Sequence, residues 1–317
     1  MSEITFEELQ ERTFELYHQQ AYAEALDLID RETDRFPGYR ARIQYWRACF
    51  HSMQGQTGTA LAALDDGLKD GLWFSELWLR GDSDLAALQG MPEFERIVAE
   101  SRKRQDAAEG EVAPSREMID LDISTEVPAP LLVALHGNNS NATVTAPYWQ
   151  AAAEQGWRVL LPNSTQLGGP EGERVWDNRE RSAREVRQHF DEVITQHPFD
   201  TEQVIIGGFS MGAHMATWLA LNATLPATGF IAVGPWYGDD MAPWDALVKA
   251  AAGRTLRAYL IIGDDDRGCY EGTLAMADLL KANGIPCQLK VYAGMRHVYP
   301  DDFADTLPEA LRFLSGE

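Results

Sequence analysis

The residues best suited to chemistry lie in the segment Gly208-Phe209-Ser210-Met211-Gly212, which has the pattern Gly-x-Ser-x-Gly. A β-branched run, Val204-Ile205-Ile206, precedes it, and an apolar helical pattern follows it. This strand–turn–helix context is typical of a nucleophile elbow, in which a sharp turn lifts the serine hydroxyl clear of the sheet. The glycines leave room where a Cβ would clash, and the helix N-terminus directs N–H groups toward a developing oxyanion. The pattern predicts that Ser210 is a nucleophile; the alternative is an ordinary glycine-rich β–α turn.

A serine hydroxyl is a weak nucleophile and needs a general base, which in turn needs a carboxylate to orient it. Candidates for both follow later predicted strands: three aspartates come directly after Gly263, and His297 follows the next strand. Because ligands of such sheets bind at the carboxyl ends of the strands, we expect these residues to converge on Ser210. His297 is the predicted base, and Asp266, three residues past the strand-ending glycine, is the preferred acid. The other two aspartates stay open as alternatives, in the order Asp265, Asp264.

The oxyanion of an acyl-transfer reaction needs N–H donors. One is predicted to be the amide of Met211, the residue after the nucleophile, and the second the amide of Asn138, in the loop after the apolar strand 131–135. His136 is expected to support that loop, and His214 is expected to be a packing residue. Aromatic residues near the strand ends are candidates for the walls of a substrate pocket, or else ordinary loop anchors: Trp176, Trp236, Tyr237 and Tyr299.

From about residue 116 the chain alternates between strand and helix patterns, which predicts an α/β domain with a mostly parallel sheet covered by helices on both faces. An alternating edge strand is expected at 118–123. Apolar runs predict the remaining strands, at 131–135, 157–162, 204–209, 229–234, 258–263 and 288–292. Helices are expected between them, at about 149–154, 179–195, 241–252, 270–283 and 302–314.

The first hundred residues have helical periodicity and almost no strand signal. Segments that begin at Tyr22 and Thr57 align at an offset of about 35 residues, so this region resembles a tetratricopeptide-like helical array. A polar stretch without periodicity follows it. We therefore expect an all-helical domain at 1–105, a linker at 106–116 and the α/β domain at 117–317. The aromatic residues of the helical domain are expected in its core, the alternative being a peptide-binding groove: Trp46, Trp73, Phe74 and Trp78.

Composition argues against several classes of function. A net charge of −22 disfavours binding to nucleic acid or to anionic membrane surfaces, since both are polyanions. The sequence contains neither an apolar run that could span a membrane nor a recognisable signal peptide, and its three widely spaced cysteines fit a reducing compartment. We therefore expect a cytoplasmic location. No His/Cys/Asp set has the spacing of a metal site, and no P-loop or dinucleotide fingerprint is present, so no metal or cofactor is expected.

Residues 117–317 resemble the α/β-hydrolase superfamily, and within it the small phospholipase/carboxylesterase and dienelactone-hydrolase-like members. The resemblance is carried by the order serine, acid, histidine and by five segments: Leu135-His136-Gly137-Asn138, Trp176-Asp177, Gly207-Gly208-Phe209-Ser210-Met211-Gly212, Gly263-Asp264-Asp265-Asp266 and Gly294-Met295-Arg296-His297. It implies a serine hydrolase that cleaves carboxylic esters or thioesters of small to medium acyl groups through an acyl-enzyme. One alternative is a serine peptidase or acyl-peptide hydrolase with the same triad. Another is a scaffold whose helical domain recruits a protein partner or self-associates, beside a weakly active hydrolase-like domain.

Overall fold

The chain divides into two compact units. The computed structural model describes residues 4–120, 128–196, 198–238 and 240–316. The first unit comprises Met1–Val112 together with Leu167–Glu173, and the second comprises Ala113–Gln166 together with Arg174–Glu317. The short segment Leu167–Glu173 therefore lies, in sequence, within the second unit but packs as part of the first.

The first unit is helical, as predicted. Its helices are α1 (Phe6–His18), α2 (Tyr22–Glu32), α3 (Arg40–Met53), α4 (Thr57–Lys69), α5 (Glu76–Gly81) and α6 (Pro92–Gly110). A capping box begins α1, because the Thr5 hydroxyl accepts from the Glu8 amide at 3.2 Å while the Glu8 carboxylate accepts from the Thr5 amide at 3.1 Å. The core contains side chains from every long helix, among them Leu9, Ile29, Ile43, Leu64 and Phe94, all fully buried.

The aromatic residues of this unit lie where the core interpretation expects them. Trp46, Trp73 and Phe74 are buried, and Trp78 packs partly buried against the same cluster. The tetratricopeptide-like character of the unit stays a prediction.

The predicted linker at 106–116 contains the boundary between the two units, between Val112 and Ala113, but most of it lies in regular secondary structure. Helix α6 continues to Gly110, and the first strand begins at Ser115. The last residues of α6 are mostly polar, so apolar periodicity does not reveal that they are helical, although Ala107 and Ala108 are good helix formers. The last turns are also fixed by a segment far away in sequence: Gln105 donates to the Leu167 carbonyl at 3.0 Å, and Glu109 accepts from the Leu167 amide at 2.9 Å.

The second unit is built on a seven-stranded sheet in the order β1-β3-β2-β4-β5-β6-β7. The strands are β1 (Ser115–Ile119), β2 (Ala129–Leu135), β3 (Arg158–Asn163), β4 (Phe199–Phe209), β5 (Gly229–Val233), β6 (Arg257–Gly263) and β7 (Cys287–Tyr292). Only β1 is antiparallel to its neighbour among these strands, so the predicted α/β fold is confirmed. The edge strand lies at Ser115–Ile119 rather than 118–123, and residues 121–123 of that prediction lie outside the described residues.

Helices cover both faces of this sheet. They are α7 (Ala142–Glu154), α8 (Arg179–Gln196), α9 (Met211–Leu221), α10 (Ala242–Ala251), α11 (Tyr270–Ala282) and α12 (Phe303–Ser315). Side chains alternate across each strand, so Leu132 faces the cluster that contains α7 and α12, while Leu131 faces the cluster that contains α8 and α9. Strands buried on both faces explain the continuous apolar runs of the sequence. Within the described residues, no helix is long and apolar enough to cross a membrane.

The central strand β2 makes a large contribution to the stability of this unit. Leu132 is fully buried there, whereas Val291 on the edge strand β7 is 43% exposed. We expect Leu132→Ala to lower the free energy of unfolding by about 2–5 kcal/mol, because it removes buried methyl groups and leaves a cavity. The matched variant Val291→Ala should change it by less than about 1 kcal/mol. Urea unfolding measures both values, and equal effects of the two substitutions would contradict this account of the core.

Candidate active site

Ser210 occupies the sharp turn between β4 and α9. Its backbone has φ 55° and ψ −120°, a left-handed conformation that is strained for a residue with a side chain. A Cβ added to Gly208 would overlap the backbone of Gly212, and one added to Gly212 would overlap the carbonyl oxygens of Leu135 and His136. Both glycines of the motif are therefore needed for the turn, and the second also lets α9 begin directly against the end of β2.

His297 lies between Ser210 and Asp266. Its Nε2 atom is 2.8 Å from the Ser210 Oγ, and its Nδ1 atom is 2.7 Å from the Asp266 Oδ2. The Asp266 side chain is buried, whereas the His297 side chain is 40% exposed. In this geometry the carboxylate accepts a hydrogen bond from the Nδ1–H group, which leaves Nε2 as the acceptor for the serine hydroxyl.

The three adjacent aspartates have different partners. Asp264 Oδ1 accepts from the Gly294 amide at 2.6 Å, and Asp265 lies near the guanidinium groups of Arg267 and Arg296, at 3.5 and 3.7 Å. Only Asp266 among them contacts His297. The geometry therefore favours Asp266 over Asp264 and Asp265 as the acid that orients His297, a choice that the sequence left open.

A close backbone approach holds the two loops that carry the acid and the histidine. A Cβ added to Gly263, at the end of β6, would overlap the carbonyl group of Met295. The glycine before the aspartates is thus required by the fold. It brings the turn that carries Asp266 against the loop that carries His297.

Cys269 is a buried residue beside this pair that was not among the predicted site residues. Its Sγ lies 3.8 Å from the His297 Nδ1, and burial, together with the negative charge of Asp266, raises the pKa of the thiol. Asp266, Cys269 and His297 also form a set whose donor atoms lie within 4.8 Å of one another, which spacing along the chain did not suggest. A spacing of three residues from Asp266 to Cys269 was the available signal, because the chain enters α11 there.

The two predicted oxyanion donors lie at the junction of the elbow and the β2 loop. Met211 is the first residue of α9, and Asn138 follows Gly137, whose added Cβ would lie 3.0 Å from the ring of Phe209. Neither the Met211 amide nor the Asn138 amide donates a hydrogen bond within the described part of the chain. Their assignment to an oxyanion stays a prediction.

His136 supports the β2 loop, as expected. Its Nε2 accepts from the Ser164 amide at 3.3 Å, so its Nδ1 carries the proton and donates to the Gly137 carbonyl at 2.8 Å. The ring stacks on Trp176, whose indole N–H donates to the His136 carbonyl at 2.9 Å. Burial lowers the pKa of His136 to about 4, which keeps the ring neutral.

His214 has a larger role than simple packing. Its Nδ1 donates to the Trp236 carbonyl at 2.6 Å, and its Nε2 accepts from Arg179 at 2.8 Å. Burial lowers its pKa to about 4 as well. This side chain therefore joins three elements: α9, the loop after β5 and the start of α8.

The four predicted wall residues fall into two groups. Trp176 and Tyr237 are buried, and their polar atoms anchor loops: the Tyr237 hydroxyl lies 2.9 Å from the Thr217 hydroxyl. For these two residues the pocket-wall prediction is wrong, because their rings are covered by protein. Trp236 is 50% exposed, and Tyr299 is partly buried between Phe209 and Tyr148. These two remain candidates for contact with a substrate.

Comparisons with known proteins agree with this architecture. Residues 5–109 match the family model for the A/B hydrolase-like, N-terminal domain, and residues 126–260 match the model for serine aminopeptidase, S33. Acyl-protein thioesterase 1 of Gibberella zeae is 26% identical over 153 residues, which are 46% of this chain and 64% of that protein. The chain thus spans less than two thirds of the length of this curated relative.

Many solved structures resemble the chain, and two of them serve as examples. An uncharacterized protein from Bacillus cereus is 27% identical and covers 98% of this chain and 99% of its own, with a TM-score of 0.56. Esterase PE8 is 23% identical and covers 64% of this chain and all of its own (100%), with a TM-score of 0.53. The chain is therefore an α/β-hydrolase with a helical amino-terminal unit. The predicted fold and hydrolase class are confirmed.

The neutral state of His136 makes a pH-dependent contribution to stability. Its pKa is about 4 in the folded chain against 6.5 ordinarily, so between these values the unfolded chain binds a proton that the folded chain does not. The free energy of unfolding therefore decreases as the pH falls from about 6.5 to about 4, by up to about 1.4 kcal/mol per pH unit for this one group. His136→Gln should reduce that slope by up to the same amount, as measured by urea unfolding at several pH values. If the free energy of unfolding had the same pH dependence in the wild-type protein and in His136→Gln, the assignment of His136 as buried and neutral would be contradicted.

Proposed function

We propose that this chain cleaves carboxylic esters or thioesters of small to medium acyl groups through an acyl-enzyme on Ser210. The observation that carries the proposal is the pair of contacts made by His297, at 2.8 Å to the serine oxygen and 2.7 Å to Asp266. An oriented base in contact with a hydroxyl that is held at a strained turn is the arrangement that nucleophilic catalysis needs.

The reaction would proceed in two steps. His297 Nε2 takes the hydroxyl proton as Ser210 attacks the substrate carbonyl, and Asp266 stabilises the imidazolium that forms. The amides of Met211 and Asn138 would hold the oxyanion. Collapse of the tetrahedral intermediate breaks the bond to the alcohol or thiol, which takes the proton from His297. Water then repeats the sequence on the acyl-serine and releases the acid.

The comparisons favour an ester or thioester as the substrate. The curated relative is a thioesterase by name, and esterase PE8 shares the fold. No cofactor or metal takes part in the proposed steps. The substrate would be a small molecule; the expected cytoplasmic location, and a protein partner or self-association for the helical unit, remain proposals.

A serine peptidase with the same triad is the second candidate. The match of residues 126–260 to the serine aminopeptidase model favours it. Hydrolysis of aminoacyl-naphthylamides at rates equal to those of matched aryl esters would support the peptidase, whereas a strong preference for esters would support our proposal.

Substitutions of the triad test the proposed mechanism. Ser210→Ala should lower kcat/KM for short-chain 4-nitrophenyl esters by at least about a thousandfold, because the nucleophile is lost. Asp266→Asn should have an effect of similar size, because the asparagine would favour the wrong imidazole tautomer.

Asp265→Asn provides the matched control, since Asp265 has surface arginines rather than His297 as partners. It should change kcat/KM by less than about threefold. Circular dichroism checks that the variants are folded. Full activity in Ser210→Ala would rule out the mechanism, and an effect of Asp265→Asn equal to that of Asp266→Asn would rule out our choice of acid.

A further inference from the structure

Arg179, the first residue of α8, is an arginine for which the described part of the chain offers no acidic partner. Among the described residues no carboxylate lies within ion-pair distance of its guanidinium group, although the chain has 49 acidic and 27 basic residues. Two other arginines of α8 are paired, Arg181 with Glu185 at 2.9 Å and Arg187 with Asp191 at 2.8 Å, whereas the exposed Arg184 has no carboxylate contact among the described residues. What distinguishes Arg179 is therefore how its guanidinium group is oriented.

A neutral histidine orients this guanidinium without cancelling its charge. One Nη atom of Arg179 donates to the His214 Nε2 at 2.8 Å, and the guanidinium lies over the Trp244 ring at 5.6 Å. His214 accepts because its other nitrogen donates to the Trp236 carbonyl. A guanidinium has five N–H donors, and this contact uses one of them, which leaves the planar fork for an anion. The residue as a whole is exposed to solvent.

His214 also places Arg179 close to Ser210. The His214 amide donates to the Ser210 carbonyl at 3.0 Å, in the first turn of α9. The Trp236 carbonyl that His214 contacts lies two residues beyond Gly234, where an added Cβ would lie 3.4 Å from the His297 ring. A single side chain therefore connects the guanidinium to the elbow.

Arg179 and the ring of His297 pack against residues on opposite faces of the sheet. The His297 ring packs on Phe209 and near Tyr299, which belong to the cluster on the α7 and α12 face of the sheet. Arg179 begins α8 and stacks on Trp244 of α10, both on the other face. The leaving group must face His297 to receive its proton, so the acyl chain extends away from His297. Arg179 is a cation on the face of the sheet opposite the cluster on which the His297 ring packs.

We propose that Arg179 binds a carboxylate at the far end of the acyl chain, so that the preferred substrates are monoesters or monothioesters of dicarboxylic acids. This inference rests on the proposed function. The net charge of −22 would repel such anions at long range, and a local, uncompensated guanidinium offsets that repulsion at the site.

Two pairs of substrates test the inference. Each pair shares a leaving group and a chain length, and its members differ only in a terminal carboxylate or methyl group: 4-nitrophenyl adipate with 4-nitrophenyl hexanoate, and 4-nitrophenyl pimelate with 4-nitrophenyl heptanoate. For the wild-type protein, we expect kcat/KM for the anionic ester to equal or exceed that for the neutral one. Arg179→Met should lower this ratio by about 10- to 100-fold, as for loss of a charge-assisted hydrogen bond.

Controls separate recognition from a structural role. Arg187→Met removes an arginine of the same helix that is already paired with Asp191, and it should leave the ratio unchanged. Arg179→Lys keeps the positive charge and should retain part of the preference. An unchanged ratio in Arg179→Met would overturn the inference. A wild-type ratio of kcat/KM, anionic over neutral ester, below about 0.1 would also overturn the inference. This ratio is measured on the wild-type protein, so it decides the question even if Arg179→Met does not fold.

Binding of adipate by calorimetry distinguishes failure of the inference from failure of the proposed function. If neutral esters are cleaved but the ratio does not depend on Arg179, the subsite is wrong and the esterase stands. If no ester is cleaved, adipate should still bind to Ser210→Ala and should bind at least about tenfold more weakly when Arg179→Met is added. Equal binding to both proteins would overturn the inference.

Discussion

The contact between the start of α9 and the end of β2 is the constraint on which the rest of the site depends. Gly212 lies so close to the carbonyl groups of Leu135 and His136 that no side chain fits between them. This contact fixes the serine turn and the adjacent loop relative to each other. The strained backbone of Ser210 persists because two buried strands and a buried helix hold both of its ends.

A second close approach of backbone, at Gly263, fixes the two loops that carry Asp266 and His297 relative to each other. Gly263 allows the end of β6 to lie against the Met295 carbonyl, and the Asp264 carboxylate binds the Gly294 amide across the same gap. The loops that carry Asp266 and His297 are thereby held together by these contacts as well as by the hydrogen bond between the two side chains. Supporting contacts of this kind keep a functional side chain aligned.

Two buried histidines outside the triad hold the remaining loops. His136 and His214 both stay neutral, and in each a backbone carbonyl and a nitrogen donor fix which ring nitrogen carries the proton. The first fixes the loop that contains Asn138. The second fixes the loop after β5 and aims Arg179. A neutral imidazole can connect two buried loops in this way because it donates one hydrogen bond and accepts another while it carries no charge.

Much of this could be predicted from the sequence, and the exceptions have physical causes. The apolar strands and the glycine motif predicted the fold and placed Ser210, because both signals are local. The choice among the three aspartates depended on where a turn aims each side chain, and spacing alone only ranked them. The end of α6 was missed because distant residues, Leu167 above all, stabilise its polar last turns. Arg179 escaped notice for a related reason, because its contacts with His214 and Trp244 are remote in the chain. Cys269 lies only three residues from Asp266, but its contact with His297 is also remote in the chain.

The central claim is that Ser210 is a nucleophile activated by His297, and covalent labelling tests it most directly. The protein would be treated with a fluorophosphonate probe and its peptides analysed by mass spectrometry. The account predicts a single adduct on the peptide that contains Ser210, and loss of that adduct in a His297→Ala variant that is otherwise folded. Absence of the adduct in the wild-type protein, or equally fast labelling without the imidazole, would contradict it.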